Sequence, residues 1–184
     1  MMRLKETPYC QGCLVPPHLL VPVRSGPSFQ VISRPQCALV LRDVADELER
    51  VLEHFGQIAE CDPSNRITIL FKPGIFGHHR VGRAVDIYEV GNVGIDVWKR
   101  RWDEATQQAL RVADARNRAA ILKSERGRNL GWLLYKTLQR LGRWSQPHGY
   151  PIQLFGPWTR TEGPWQAISD FLLHAHRDHI HVAK

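Results

Sequence analysis

The sequence predicts an α+β domain in which a small, mostly antiparallel sheet is flanked by helices. Three observations support this class. Segments with apolar residues at helical spacing are interspersed with short segments in which polar and apolar residues alternate. The chain has 184 residues, 43% of them apolar, which is enough for one domain with a proper core and short for two. It shows neither an internal repeat nor a low-complexity tract.

Proline is frequent at the beginning of the chain. Residues 1–36 are proline-rich and show little periodicity, so we expect an extended N-terminal arm that lies on or off the domain. A single compact domain is then expected over residues 37–184. Its first element is an amphipathic helix over residues 42–55, where apolar side chains recur at helical spacing behind Asp43. Gly56 is expected to end this helix.

Two strands are expected next. Residues 66–71 alternate polar and apolar side chains, and the following Pro73-Gly74 pair stops a strand. Residues 84–90 form the second strand, and the period of two places Asp86 and Tyr88 on the same face. Because an unpaired carboxylate in the middle of a strand is costly, Asp86 is a candidate for a functional role.

Helical patterns dominate the middle of the chain. A long helix is expected from residue 98 to about residue 123, with Gly127 as the residue that breaks it. Leucines at helical spacing predict another helix over residues 130–141, ended by Gly142. The basic side chains of this second helix are interpreted as a solvated face.

Two short strands on either side of a helix are expected to close the domain. The first strand is predicted over residues 150–155, and Pro164 is expected to open the helix. Phe171 and Leu172 are predicted to face inward from that helix. The last strand is predicted over residues 179–182.

Charge, hydropathy and cysteine content limit the possible function classes. The 25 Lys and Arg residues against 18 Asp and Glu give a net charge of +7, which suits an anionic partner such as nucleic acid or cell-wall polymer. No apolar run is long enough to span a membrane, and prolines interrupt the only candidate signal-peptide core. A cell-envelope or extracellular location would therefore require a separate export route.

The four cysteines are sparse for a disulfide scaffold, and the single CxxC pair lacks a second pair for a zinc knuckle.

Two segments about a hundred residues apart contain metal-binding and acid–base side chains. The first has the pattern His79-x-x-Gly-x-Ala-x-Asp86, and the second is Asp178-His179-Ile-His181. Because residues two apart in a strand share a face, His179 and His181 are expected to project into one site. If the strand containing Asp86 lies nearby, Asp86 and His79 complete a His-Asp-His set that leaves one zinc position open for water.

These histidines allow other assignments. His78 is the alternative ligand if the register shifts by one residue, and the histidines of residues 174–181 could form an exposed chelating cluster instead. His174 and His176 are interpreted as surface residues or as neighbours of the ligands. Asp178 can reach the metal from a loop, whereas strict alternation would direct it away if the strand already included it.

Together the two motifs resemble those of the zinc D-Ala-D-Ala carboxypeptidase and peptidoglycan endopeptidase superfamily, whose metal-binding fold also occurs in the hedgehog signalling domain. The order of motifs matches from about residue 66 to the end of the chain. The resemblance implies a hedgehog/DD-peptidase-like fold and Zn²⁺ bound by His79, Asp86 and His181. It also implies that Asp178 is the general base and that His179 is a second catalytic residue, which stabilises the transition state.

The sequence departs from this family at the residues expected to bind the substrate. Family members have an arginine that polarises the scissile carbonyl, and this chain offers Lys72 at the corresponding place. Lys72, Arg80 and Arg83 are the candidate replacements, although lysine lacks the bidentate fork of arginine. The Phe155-Gly156-Pro157-Trp158 segment resembles the glycine-rich, tryptophan-containing turn of the family, which makes Trp158 a further candidate substrate contact.

The expected function is that of a zinc metallopeptidase, of the carboxypeptidase or endopeptidase type, acting on peptidoglycan stem peptides or a related small peptide that contains D-amino acids. One alternative is a catalytically silent zinc-binding domain of the same fold, which the missing arginine favours. Another is a basic, metal-dependent nucleic-acid-binding protein or nuclease. The sequence shows no defined motif in which basic residues are interleaved with stacking aromatics, so we expect no nucleic-acid partner.

Overall fold

The computed structural model describes residues 14–34, 38–59, 66–74, 77–141, 153–162 and 169–184, which form an α+β structure as predicted. The strands in these ranges are β1 (Leu20–Pro22), β2 (Phe29–Val31), β3 (Leu39–Leu41), β4 (Ile67–Lys72), β5 (Ala84–Val90), β6 (Val93–Gly94), β7 (Gln153–Phe155) and β8 (Ile180–Ala183). The helices are α1 (Arg42–Ile58), α2 (Ile95–Leu110), α3 (Ala115–Arg128), α4 (Leu130–Leu141), α5 (Thr159–Glu162) and α6 (Asp170–Ala175).

The larger sheet brings the two sequence motifs together. Its strand order is β2-β4-β5-β8-β7, and β6 pairs with β5. Within the described ranges β2 and β4 are parallel, while the other neighbours in this sheet are antiparallel. A separate two-stranded antiparallel sheet joins β1 to β3. The central position of β5 places the strand that contains Asp86 directly against the C-terminal strand β8.

One face of the larger sheet is the hydrophobic core. Val85 and Ile87 of β5 and Ile180 and Val182 of β8 are almost fully buried there, together with side chains from α1, α2 and α4. Because side chains alternate across a strand, the intervening residues of β5 and β8 lie on the opposite face. That opposite face is where the polar residues of both motifs lie.

The described part of the predicted N-terminal arm lies on the domain. Strand β2 pairs with β4, and Phe29 is part of the core. The carboxylate of Glu53 on α1 accepts hydrogen bonds from the backbone N–H and the hydroxyl of Ser28, at 3.0 and 2.7 Å. The helix continues through Gly56 to Ile58, so the prediction that Gly56 ends it was wrong. A Cβ at Gly56 would lie 2.5 Å from the Ser28 carbonyl oxygen, and the glycine therefore allows the arm to approach the helix.

The long helix predicted from residue 98 to about 123 is two helices, α2 and α3. Asp114 caps the N-terminus of α3 by accepting a hydrogen bond from the backbone N–H of Asn117 at 2.8 Å, which starts a new helix after a short turn. Helix α3 runs past Gly127, so that residue is not the breaker. Asn129 separates α3 from α4, and its side chain accepts a hydrogen bond from the backbone N–H of Trp132.

The helix predicted after Pro164 is present in part as α6, which Ser169 caps. Phe171 is 80% exposed and Leu172 is also exposed, so the prediction that both residues face the core was wrong. Pro164, Gly142, the four cysteines and the first three residues of the strand predicted over 150–155 lie outside the described residues. Among the described helices, none has both the length and the apolarity needed to cross a membrane.

Candidate metal centre

The register of β5 and β8 places Asp86 opposite His181. These two residues are Cα partners in the antiparallel ladder, and the Nδ1 atom of His181 lies 2.8 Å from Oδ1 of Asp86. Both side chains are on the face of the sheet opposite the hydrophobic core. Cross-strand pairing, the commonest way in which a sheet brings two side chains together, therefore supplies two of the three predicted ligands.

The third predicted ligand, His79, comes from the 3-10 turn Gly77–Val81 that precedes β5. Its Nε2 atom lies 3.2 Å from Oδ1 of Asp86 and 3.2 Å from Nδ1 of His181. The turn is closed by a hydrogen bond from the backbone N–H of Gly82 to the His79 carbonyl, at 3.1 Å. Gly82 has a φ of +67°, which accounts for a glycine at this position of the motif.

The three side chains fit a zinc ion in number, type and spacing. One ligand atom from each lies within 4.8 Å of the other two. Zinc bound at about 2.0–2.1 Å in a tetrahedron separates its ligand atoms by about 3.3–3.4 Å. The observed separations of 2.8, 3.2 and 3.2 Å are close to that value. Two imidazoles and one carboxylate also leave the fourth position open, as in catalytic zinc sites.

Burial and hydrogen bonding keep two of the predicted ligands, Asp86 and His181, in their metal-binding protonation states. Burial by itself would raise the pKa of Asp86, but the hydrogen bonds from His181 and His79 outweigh it and hold that pKa well below its usual range. Burial lowers the pKa of His181 despite the neighbouring carboxylate. A carboxylate and a neutral imidazole are the forms that bind a cation, so protons compete weakly for this pair at neutral pH.

Asp178 and His179 form a hydrogen-bonded pair beside the predicted ligands. Strand β8 begins at Ile180, so Asp178 lies in the preceding bend, and its Oδ1 atom is 2.8 Å from Nδ1 of His179. The other ring nitrogen of His179 lies 3.7 Å from Oδ1 of Asp86. Asp178 is half exposed, and its carboxylate contacts His179 instead of extending over the ligands. This arrangement holds His179 with Nδ1–H toward Asp178 and Nε2 toward the site.

A pocket of about 590 Å³ opens over these residues. Its polar lining includes His176, whose Nδ1 atom lies 2.7 Å from the carbonyl oxygen of Leu172. The ring of His176 lies 5.0 Å from that of His179 and 5.2 Å from that of His181, and burial lowers its pKa. The remaining described residues that line the pocket are Pro73, Gly74, Gly77, His78, His79, Asp86, Tyr88, Gln153, Phe155, Leu172, His179 and His181.

The predicted substrate-binding residues are not all at this pocket. Trp158 is completely buried and packs beside Tyr135 in the core, so its assignment as a substrate contact was wrong. Arg80 and Arg83 are absent from the described lining of the pocket. Lys72 is on the site face of the sheet, and its Nζ atom lies 4.1 Å from the ring centroid of Tyr88. The arginine that the resemblance requires therefore has no direct replacement among these candidates.

His78, the alternative ligand, lines the pocket but is not one of the three converging side chains. Its neighbour His79 takes the ligand position because the 3-10 turn directs successive side chains differently. Burial lowers the pKa of His78, so this imidazole is a neutral component of the wall.

Sequence reasoning missed the roles of Phe155 and Gly74 at this site, whereas His176 is a neighbour of the predicted ligands, one of the two interpretations given for it. Phe155 stacks on His181 at 6.0 Å between ring centroids and forms an apolar wall. A Cβ at Gly74 would lie 2.3 Å from two ring atoms of His79, so the glycine lets the backbone pack directly on a predicted ligand. Only the position of Gly74 before the first motif could have drawn attention to it.

Comparison of this chain with protein-family models, with curated proteins and with solved structures finds no match. The chemistry of the site therefore has to be inferred from its own side chains.

Proposed function

We propose that this protein is a zinc-dependent hydrolase of the metallopeptidase type. The observation that carries the proposal is the convergence of His79, Asp86 and His181 at the floor of an open pocket, next to the Asp178–His179 pair. A purely structural metal site is usually closed by a fourth protein ligand. Here the ligands face a pocket large enough to admit a peptide segment.

Each side chain has a role that follows from its position. His79, Asp86 and His181 would hold the zinc, which when bound supplies a Lewis acid that activates both water and a carbonyl group near neutral pH. His179 presents Nε2 toward the site and can accept the proton that a nucleophilic water loses. Asp178 holds His179 in the tautomer that this requires. The geometry thus favours His179 as the base and Asp178 as the residue that orients it, the reverse of the order implied by the resemblance.

We propose peptidoglycan stem peptides, or a related small peptide with D-amino acids, as the substrate, and a hedgehog/DD-peptidase-like arrangement as the fold. The two sequence motifs support both proposals, and the antiparallel β5–β8 pair is compatible with them. The apolar wall formed by Phe155 and Leu172 suits a substrate with small apolar side chains. The net charge of +7 favours an anionic wall polymer as the bulk partner.

Metal content tests the first half of the proposal. Elemental analysis of the purified protein is expected to find about one zinc per chain, and none in His79→Ala or His181→Ala, because each variant lacks one of three ligands. His78→Ala is the matched control, since His78 is adjacent in sequence and lies outside the ligand set. Full zinc content in either ligand variant contradicts the assignment.

Hydrolysis tests the second half. The zinc-loaded protein should cleave one member of a panel of stem peptides that differ in D- and L-residues, detected by the release of a new amino group. Asp178→Ala should keep its zinc and lose most of this hydrolysis, because His179 then lacks its orienting partner. If the wild-type protein binds zinc and cleaves no member of the panel, the enzyme proposal is wrong.

A catalytically silent zinc-binding domain is the second candidate function. The observation that favours it is the position of Lys72, Arg80 and Arg83, none of which supplies a cation inside the described pocket. Under this hypothesis zinc would stabilise the fold without catalysis. Chelation should then lower the free energy of unfolding, while no peptide of the panel is cleaved.

A further inference from the structure

Hydrolysis of a peptide bond requires a hydrogen-bond donor at the oxygen of the scissile carbonyl, because negative charge develops on that oxygen. The cations expected at this position are not available for it in the described pocket. Arg80 and Arg83 are not part of its lining, and the ammonium group of Lys72 lies over an aromatic ring. The site therefore needs another donor.

Tyr88 occupies a suitable position. It follows Asp86 by two residues on β5, so the two side chains project from the same face about 6.8 Å apart. Its half-buried side chain lines the pocket. The ring of Tyr88 is stacked on that of His179, with 4.7 Å between centroids and 17° between planes. Tyr88 is therefore next to the residue that we assign as the base.

The ring of Tyr88 is held from both neighbouring strands. His179 lies at the start of β8, on one side of β5, and Lys72 is the last residue of β4, on the other side. The Lys72 ammonium group is 4.1 Å from the centroid of the ring, the geometry of a cation–π contact. Two contacts thus fix the direction of the tyrosine side chain before a substrate is bound.

His176 and Gln153, two other polar residues of the pocket, are less suited to this role. The Nδ1–H of His176 is engaged by the Leu172 carbonyl, which leaves Nε2 as an acceptor. Gln153 lies on β7, two strands away from β5. The hydroxyl group of a tyrosine, in contrast, can donate a hydrogen bond directly to a carbonyl oxygen.

We propose that Tyr88 is a further catalytic residue, whose hydroxyl donates a hydrogen bond to the scissile carbonyl oxygen, and that Lys72 positions its ring. This inference rests on the proposed hydrolase function. In the reaction, water adds to the carbonyl carbon and gives its proton to His179. The carbon–nitrogen bond then breaks, the proton passes to the leaving amine, and the products are a carboxylic acid and an amine. Tyr88 keeps its own proton throughout.

Steady-state kinetics of Tyr88→Phe test the donor. The variant is expected to lose about 100-fold in kcat, as measured when one oxyanion donor is removed, with little change in KM and full zinc content. Tyr135→Phe is the matched control, because it removes a hydroxyl that bonds Thr159 in the core, away from the pocket. Its kcat should stay at the wild-type value.

Binding of a transition-state analogue gives a readout that does not depend on turnover. A phosphinate analogue of D-Ala-D-Ala places a charged oxygen where the oxyanion would form, so Tyr88→Phe should bind it about 100-fold more weakly. Affinity for zinc should stay the same in this variant. Calorimetric titration of the zinc-loaded proteins measures phosphinate binding, and titration of the metal-free proteins with zinc measures zinc affinity.

Two variants of Lys72 separate positioning from general structure. Lys72→Met keeps the length of the side chain and removes the charge over the ring, so kcat should fall by about 2- to 5-fold, in line with a cation–π contact at an exposed site. Lys72→Arg retains a cation and should restore most of the lost activity. If arginine and methionine behave identically, the positioning role of Lys72 is refuted.

The outcomes distinguish this inference from the function on which it rests. Wild-type hydrolysis that Tyr88→Phe leaves unchanged refutes the role of Tyr88 and leaves the hydrolase intact. Equal phosphinate affinity in the two proteins refutes it as well. A wild-type protein that holds zinc but neither cleaves the panel nor binds the phosphinate refutes the hydrolase proposal, and the role of Tyr88 with it.

Discussion

Gly74 provides a sharp test of the site because it lies against a predicted metal ligand. A Cβ built on Gly74 would lie 2.3 Å from Cδ2 and Nε2 of His79 and 2.4 Å from Cε1. Nε2 is also the atom that faces Asp86 and His181. The substitution Gly74→Ala therefore places a methyl group directly against the nitrogen predicted to bind the metal. The backbone of Gly74, which is not in the left-handed region, accepts alanine without strain.

The size of the effect follows from these distances. Carbon atoms in ordinary contact are about 3.5 Å apart, so the His79 ring must move by about 1 Å. Ligand distances at a zinc site tolerate about 0.2 Å, and the displaced ring no longer meets that condition. We expect the zinc affinity to fall by at least about 10- to 100-fold, the range seen when a residue that orients a ligand is changed. Overpacking a core typically costs about 1–3 kcal/mol of unfolding free energy. The cost here should be smaller, because the pocket beside His79 can receive the displaced ring.

Competition with a chromophoric zinc chelator measures this affinity, and urea unfolding of the chelator-treated protein measures the stability. The His79→Ala variant gives the zinc affinity expected when this ligand is lost completely. Gly127→Ala is the matched glycine control, because a Cβ there meets nothing within 4 Å and the residue is in helix α3, outside the pocket. Wild-type zinc affinity in Gly74→Ala would show that His79 is not a ligand, or that Gly74 does not pack on it.

Three further predictions concern the base, the buried histidine and a helix cap. Asp178→Asn should keep its zinc and lose about 100-fold or more in kcat; an unchanged kcat would exclude the orienting role. The metal-free protein should lose stability as the pH falls from 7.5 to 5, because burial lowers the folded-state pKa of His181 and the unfolded state then binds more protons. The slope of the unfolding free energy against pH, measured by urea unfolding at each pH, is at most about 1.4 kcal/mol per pH unit for one proton. An unfolding free energy that does not change with pH would contradict this prediction. Asp114→Ala should cost about 1 kcal/mol in the same assay with zinc content unchanged, whereas Asp114→Asn should restore the cap.

Strands β4 and β5 could be predicted closely because their patterns are local and strong. The strand predicted over residues 84–90 coincides with β5, and the one over 66–71 is displaced by one residue from β4. The division of the long helix into α2 and α3 was missed because both segments contain mainly helix-forming residues such as Ala, Arg and Glu. The two helices are separated by one capping interaction, in which the Asp114 side chain hydrogen-bonds the backbone at the start of α3. This interaction involves only a few residues.

Tertiary contacts account for the other differences. Gly56 stays helical because α1 continues to pack on the arm, and a glycine there is required by the close approach of Ser28. Trp158 follows a turn-like sequence, which predicts exposure, yet its indole fills the core beside Tyr135. Neither contact leaves a periodic trace in the sequence, since each joins segments that are distant along the chain.

The arrangement of Asp178 shows a limit of the resemblance as a guide to geometry. Its spacing of three residues before His181 implies a base that extends over the metal. In the structure the bend before β8 directs the carboxylate to the adjacent imidazole, at 2.8 Å. Spacing predicts which side chains can reach a site, whereas the start of a strand decides where each one points.

The convergence of the three predicted ligands follows from the packing of the opposite face of the sheet. Val85 pairs with Val182 and Ile87 with Ile180, and all four side chains are in the core. Asp86 and His181 are the pair between them, so the register that buries the four apolar residues also sets these two ligands opposite each other. A slip of one residue would place Asp86 or His181 in the core and expose valine and isoleucine, which is strongly unfavourable. The hydrophobic core therefore holds two of the predicted ligands in place without a metal, and only His79, on its turn, depends on local contacts such as that with Gly74.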